Sequence, residues 1–239
     1  DIFSSATDFN QGTMRNLPYI PLKGEIKQKI GLLVSDCIDI SKNDWDESEI
    51  SWDFERHPFI KNVSSNNKSN LSLKISDIYT QWETKKNQIL DRLKINEETI
   101  NRILIDLYNL QEELTPEVEE KDMSLQIPHL QRDIKSFMSY FMGCVFGRYN
   151  FHRVKVIPTG KELVFSKDSL FHIDRDNVIP ITDDNYFSED IITLFDEFLV
   201  ACYGKETLEE NLDFIAQALG KKEESSRGTI RNYFVVDFY

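Results

Sequence analysis

The chain has 239 residues and 40% hydrophobic side chains, enough to bury a core as one large domain or two small ones. Its 28 basic against 41 acidic residues leave a net charge of −13, which excludes a surface that coats nucleic acid generally, because such affinity comes from neutralising phosphates with Lys and Arg. No apolar run approaches the roughly 20 residues needed to cross a bilayer, and no basic stretch followed by an apolar one opens the sequence, so the reading is a cytoplasmic protein with no membrane partner. Cys37, Cys144 and Cys202 are scattered among apolar residues. They fit buried thiols in a reducing compartment better than disulfides or a metal knuckle.

Residues before Lys23 are irregular, with Gly12, Pro18 and Pro21 interrupting any period, and read as an extended lead-in. From Glu25 onward Ile26, Ile30, Leu33, Val34, Cys37 and Ile38 recur at helical spacing, and the turn formers of Ser41 to Asp46 end that helix. Trp45, Trp52, Phe54 and Phe59 crowd a short segment with Pro58, which predicts an irregular stretch pinned to the core by large side chains. Base stacking is its functional alternative. These elements make up residues 1–63, and SSNNKSN, 64–70, follows as a loop or hinge.

Residues 71–150 read as a helical hairpin and a core helix. Ile75, Ile78, Tyr79, Trp82, Ile89 and Leu93 form one stripe, and Ile100, Ile103, Leu104, Leu107 and Leu114 the next. Asn96, Glu97 and Glu98 are placed to restart the helix between them, giving a hairpin or one long interrupted helix that Thr115-Pro116 ends. Leu130 to Tyr149, apolar around Phe137, Met138, Phe141, Met142 and Val145, is the core helix. In 151–177 the period changes: Val154 and Val156, then Leu163 and Phe165, flank Pro158-Thr159-Gly160 and predict a β-hairpin.

Residues 178–239 read as helices with local start and stop signals. Ser188 is placed to cap a helix whose first turn holds Glu189 and Asp190 and whose buried face is Ile191, Ile192, Phe195, Phe198 and Leu199. Thr207 and Glu210 make a capping box ahead of Leu208, Leu212, Ile215, Ala216 and Leu219, and Gly220 supplies the left-handed residue that closes this second helix. Ser225 caps a last helix through Ile230, Phe234 and Phe238, weakened at its start by Gly228. The predicted fold is mainly α, a multi-helix domain with one small inserted β-hairpin.

The wording of Val178 to Gly220 goes beyond a helical pair. Together with SWDFERHPF (Ser51 to Phe59), LYNLQEELTPEV (Leu107 to Val118), SYFMGCVFGRY (Ser139 to Tyr149) and SSRGTIRNYFVVDF (Ser225 to Phe238), it resembles the region C-terminal to the catalytic domain in PglX-type adenine-specific DNA methyltransferases of BREX phage-exclusion systems. The resemblance rests on several co-linear matches, not on any one mechanistic motif, and departs from the family at Gly228, where a larger polar residue is usual. It implies a longer protein that moves a methyl group from S-adenosylmethionine to adenine N6. A start at Asp1 fits an excised piece of such a protein.

Such an enzyme needs a glycine turn after a strand to approach the methyl donor, and a [DNS]-P-P-[YFW] tetrapeptide to hold the flipped base. Neither is present. Asn16-Leu17-Pro18-Tyr19 imitates the second but has Leu17 for the first proline and no preceding apolar strand, and Gly143 and Gly147 lie in a helical apolar run where close packing is the simpler role. The expectation is therefore no catalytic residue, no cofactor site and no metal site within this chain, with S-adenosylmethionine left to the longer protein. His57, His129, His152 and His172 lack zinc-ligand spacing. Asp8 with Glu25-x-Lys27 matches nuclease spacing only on what reads as a helix, and Asp183-Asp184 reads as a turn ahead of a helix start.

One cluster of cations carries a functional signal. Arg148, Arg153 and Lys155, with His152 among them, are candidate DNA phosphate contacts where the core helix meets the hairpin, and Tyr149 and Phe151 between them are candidate base-stacking side chains. Arg227 and Arg231 are further candidate phosphate contacts at a helix start. The plain alternative is a solvated rim with its aromatics turned inward. The resulting reading is a non-catalytic connector and DNA-engagement region of a phage-defence methyltransferase, partnered by DNA through the longer protein, by the rest of that chain and by other phage-exclusion proteins. The alternative reading is a helical protein-docking module that presents the carboxylates between Glu189 and Glu224.

Overall fold

In the computed structural model the described residues are 18–61, 72–123, 125–149, 178–182, 186–187, 190–220 and 223–238. They form α1 (Gly24–Trp45), α2 (Pro58–Lys61), α3 (Ile75–Tyr108), a 3-10 turn (Glu120–Asp122), α4 (Leu130–Val145), α5 (Ile191–Tyr203), α6 (Leu208–Ala218) and α7 (Ser226–Asn232), which runs on into a π-helical turn, Tyr233–Asp237. The fold is mainly α, with no strand among the described residues. The predicted hairpin of 151–177 and loop of 64–70 lie outside them. No helix among the described residues is long and apolar enough to cross a membrane.

The chain divides into two units, Asp1–Ser41 with Asp91–Ser124, and Lys42–Leu90 with Leu125–Tyr239. In the first, Ile30, Ile40, Leu93 and Ile105 are buried, whereas Ile26, Val34 and Ile38 stay exposed, so the inward stripe of α1 is narrower than its apolar spacing predicts. Asn96 does not restart a helix. It sits within the uninterrupted α3, where its side-chain amide donates to Asp36 Oδ2 at 2.7 Å, beside an Arg92 guanidinium that donates to both Asp36 oxygens at 2.8 and 2.5 Å. A helix that gains such side-chain partners along its length has no need of a second cap.

The end of α3 also differs from expectation. The helix stops at Tyr108, ahead of Thr115-Pro116, because Asn109 takes φ 56° and the Leu110 and Asn109 amides turn back onto the carbonyls of Ile105 and Asp106 at 3.0 and 3.3 Å. That is the left-handed stop that Asn tolerates better than other non-glycine residues. Tyr108 then tethers the lead-in, accepting from the Ile20 amide and donating to the Pro18 carbonyl.

The second unit is built around α4. Phe137, Met138, Tyr140 and Phe141 are fully buried against Phe195, Phe198, Leu199 and Tyr203 of α5, Leu212 and Ile215 of α6, Ile230 and Phe234 at the C-terminus, and Phe59, Ile75 and Tyr79. Aromatic rings make up much of this packing, with Phe137 centroids 5.7 Å from Phe198 and 5.8 Å from Phe59. Phe59 and Phe54 pin the aromatic segment as predicted, and His57, outside the predicted set, is buried beside Phe59. Trp52 and Trp45 do not pin it; Trp52 is wholly exposed. Lys86 is buried beside Trp82 and donates to Asp44 and Glu47.

Helix starts in this unit are set by side chains from several elements. His129 caps α4, accepting from the Arg132 amide, and its own amide donates to Asp133 Oδ2 at 2.7 Å. Gly147, at φ 68°, follows the end of α4 at Val145, four residues before the predicted Tyr149. The cap of α5 is Asp190, not Ser188: its Oδ1 accepts from the Ile192 amide at 2.9 Å and the helix begins at Ile191. Thr207 makes no capping box. Its hydroxyl turns to the Leu73 carbonyl at 2.9 Å, while Glu210 pairs with Lys74 at 2.9 Å. The local signals do hold at Gly220, φ 95°, and at Ser225, which accepts from the Gly228 amide at 2.9 Å.

Candidate functional site

Of the predicted phosphate contacts and stacking residues, Arg148, Tyr149, Arg227 and Arg231 fall among the described residues; Phe151, His152, Arg153 and Lys155 lie outside them. Arg148 and Tyr149 leave the end of α4, their amides both turning back to the Gly143 carbonyl, at 2.7 and 3.2 Å. The Arg148 side chain is exposed, with its guanidinium carbon 5.3 Å from the centre of the Tyr149 ring. The Tyr149 ring is half-buried. It stacks on Tyr140 at 5.2 Å, meets Phe54 edge-on at 5.1 Å, and lies 2.4 Å from where a Cβ on Gly143 would sit. Gly143 thus serves close packing, and the partner it admits is this folded-back ring.

Glu49, which carried no sequence signal, completes this corner. Burial pushes its carboxyl above the usual range, opposed by the neighbouring Ser139 hydroxyl and by the charge of Arg148. The arrangement holds one exposed cation over an anchored aromatic ring, with a carboxyl behind it. It can orient a guanidinium toward an anion at the rim of the domain.

The other two cations are engaged within the chain. Arg227 donates to Asp196 Oδ2 at 2.8 Å and to both oxygens of Glu209 at 2.9 and 2.7 Å. These hydrogen bonds hold the Glu209 carboxyl below its ordinary range, whereas burial raises that of Asp196. Arg231 is nearly buried, its side chain 12% exposed; its guanidinium donates to both oxygens of the fully buried Asp190, each at 2.7 Å, and to the Thr182 carbonyl at 2.8 Å. Asp190 and Arg231 are 41 residues apart, so no local spacing could have revealed the pair.

Three carboxylates of the docking alternative are likewise partnered inside the chain, Glu209 by Arg227, Glu210 by Lys74 and Asp213 by Ser226. Among the described residues, no group of three or more His, Cys, Asp or Glu could hold a metal ion. His57 is buried, its Nδ1 accepting from the Phe59 amide. Glu25 and Lys27 are exposed near the start of α1, while Asp8, Asp183, Asp184, His152 and His172 lie outside the described residues. The three thiols are free. Burial pushes Cys144 up to about 12, so it is a protonated, unreactive core side chain.

Comparison with known proteins gives the context for this geometry. No family model matches the chain. Over 241 residues it is 39% identical to the adenine-specific methyltransferase PglX of Lacticaseibacillus casei (strain Zhang), a match that covers 100% of this chain and 20% of that protein. Over 260 residues it is 30% identical to the adenine-specific methyltransferase BrxX of Escherichia coli O9:H4 (strain HS), covering 97% of this chain and again 20% of the relative. The chain therefore spans about a fifth of the length of these relatives. Alignment along the whole chain at this identity shows it to be similar to one segment, about a fifth of the length, of the PglX-type adenine-specific methyltransferases.

Proposed function

We propose that this chain is the non-catalytic helical connector and DNA-engagement region of a longer, site-specific adenine-N6 DNA methyltransferase acting in phage defence. The observation that carries the proposal is the full-length match to proteins named adenine-specific methyltransferases, of which the chain spans 20%, combined with a sequence that holds neither the donor-binding glycine turn nor the base-holding tetrapeptide. The methyl donor, S-adenosylmethionine, then belongs to the remainder of the longer protein. In this reading the chain links the methyltransferase core to the target-recognition region and helps set the geometry of bound DNA. Calorimetric titration of the 239-residue chain with S-adenosylmethionine is expected to give no heat of binding. Saturable micromolar binding would overturn the non-catalytic assignment.

The DNA-facing part of the proposal rests on Arg148, exposed at the end of α4, together with Arg153 and Lys155 that follow it in sequence. Changing all three to Ala in the longer protein is expected to weaken DNA binding by roughly 1–3 kcal/mol in total, the scale of charged hydrogen bonds. The slope of log affinity against log salt should flatten by up to about one unit for each phosphate left unneutralised. Arg227 and Arg231 are left out of this variant, since their removal breaks ion pairs inside the fold. Unchanged affinity and slope would instead favour the helical protein-docking role.

A further inference from the structure

The ring of Tyr149 is occupied before any base could reach it. Tyr140 stacks against it, centroids 5.2 Å and planes 14° apart, Phe54 meets it edge-on at 5.1 Å, and the Arg148 guanidinium carbon lies over it at 5.3 Å. Gly143 leaves the space for this. A Cβ there would sit 2.4 Å from two carbons of the ring, closer than the two groups can approach. The amides of Arg148 and Tyr149 also both donate to the Gly143 carbonyl, so one residue holds the backbone of the cation and admits the ring beside it. A ring fixed in this way restricts a long, flexible arginine side chain, which then loses less freedom when it meets an anion.

We propose that Tyr149 and Gly143 are positioning residues for Arg148, and that this corner makes a sequence-independent contact to a phosphate of the DNA backbone. The inference rests on the DNA-engaging role proposed above and gives Tyr149 a part in it other than base stacking. Arginine suits the part, because a planar guanidinium stacks on an aromatic ring while its N–H groups stay available to phosphate oxygens. Arg148 is exposed, whereas Arg227 and Arg231 are engaged by carboxylates inside the fold. A phosphate contact carries no sequence information, so its loss weakens binding to every duplex alike.

The test is a double-mutant cycle in the longer protein, reading affinity for DNA duplexes of unrelated sequence at several salt concentrations. Arg148→Ala is expected to weaken binding about fivefold and to flatten the slope of log affinity against log salt by about one unit. Tyr149→Leu, which removes the ring, and Gly143→Ala, which crowds it, should each reproduce most of both effects. Neither should weaken binding further once residue 148 is alanine. Tyr149→Phe keeps the ring and should restore what Tyr149→Leu loses. Melting curves show which of the ring variants are folded at the temperature of measurement. Arg148→Lys leaves every ring contact in place and keeps the charge without the planar stack, so it should still weaken binding about threefold. Losses that multiply in the double variants, with the salt slope unchanged by Tyr149→Leu, would make the ring a base-stacking contact and overturn the proposal. Wild-type affinity in Arg148→Lys, or a loss that depends on duplex sequence, would overturn it as well. Wild-type affinity and slope in Arg148→Ala would fail the DNA-engaging reading itself, whereas a loss there without coupling to Tyr149 would fail the positioning role alone.

Discussion

Replacing Asp190 with Ala is expected to destabilise the second unit by about 3–5 kcal/mol, the range for removing one partner of a buried ion pair. Asp190 is fully buried, and its carboxylate performs two tasks: it accepts both Arg231 donors at 2.7 Å and caps α5 through the Ile192 amide at 2.9 Å. The substitution leaves a nearly buried guanidinium bonded to the Thr182 carbonyl but without the carboxylate that balances its charge, and it removes a cap that by itself contributes about 0.5–2 kcal/mol. For a chain of this size each kcal/mol moves the melting temperature by roughly 2–4 °C. Asp190→Asn should fall between wild type and Asp190→Ala, because the amide oxygen can still cap the helix while the charge is removed. Urea unfolding reads both. A loss below about 1 kcal/mol for Asp190→Ala would place the pair in solvent, contrary to its burial.

The pair also separates two explanations of a basic residue in the region proposed above to engage DNA. If Arg231→Met lowers DNA affinity only in proportion to the unfolded fraction, its role is structural, as the 12% exposure of its side chain dictates. Arg148, exposed beyond the C-terminal end of α4, should show the reverse, a changed salt slope at unchanged melting temperature.

Asn211→Ala is expected to lose about 2–3 kcal/mol, the penalty for stranding a buried backbone donor and weakening the satisfaction of a carbonyl. Asn211 is 1% exposed. Its Oδ1 accepts from the Ile75 amide at 2.8 Å, and its Nδ2 donates to the Leu73 carbonyl at 3.1 Å and toward the Thr207 hydroxyl at 3.3 Å. Ile75 opens α3, so its amide is one of the donors that a helix cannot satisfy internally. A residue in α6 thereby caps α3, while the Leu73 amide donates to the Tyr203 carbonyl at 3.0 Å. Thr207→Val should cost less, because the Leu73 carbonyl keeps Asn211. Hydrogen exchange at Ile75 should accelerate in Asn211→Ala; an unchanged rate there would show that some other group caps the helix.

Elements defined by their neighbours in sequence are legible without the structure. The apolar stripe of α5, the stripe of α6 closed by Gly220 and the Ser225 cap of α7 are where the spacing and residue types place them. The aromatic face of α4 is too, and it forms the centre of the core. Each depends on interactions within one or two helical turns, which is the range over which periodicity and capping act. The stop at Asn109 has a local signal as well, an asparagine able to take the left-handed conformation, which outweighs Thr115-Pro116 further along.

What tertiary structure decided was which of several competent polar groups each helix end would use. Thr207 had the right type and position for a capping box, yet packing brought the Leu73 carbonyl within 2.9 Å and the hydroxyl went there. Asn96 was placed to start a helix, and Asp36, 60 residues away, drew its amide sideways instead. Arg231 had the type and position for a phosphate contact at a helix start, and Asp190 engaged it. A side chain's hydrogen-bonding capacity is written in its chemistry, but the partner it meets depends on which buried groups the assembled core leaves unsatisfied beside it. Sequence alone therefore determined most of the helices, the apolar faces of α4, α5 and α6 and the family resemblance, whereas the buried polar contacts that fix the helix starts, and with them which cations remain at the surface, exist only once the helices have packed.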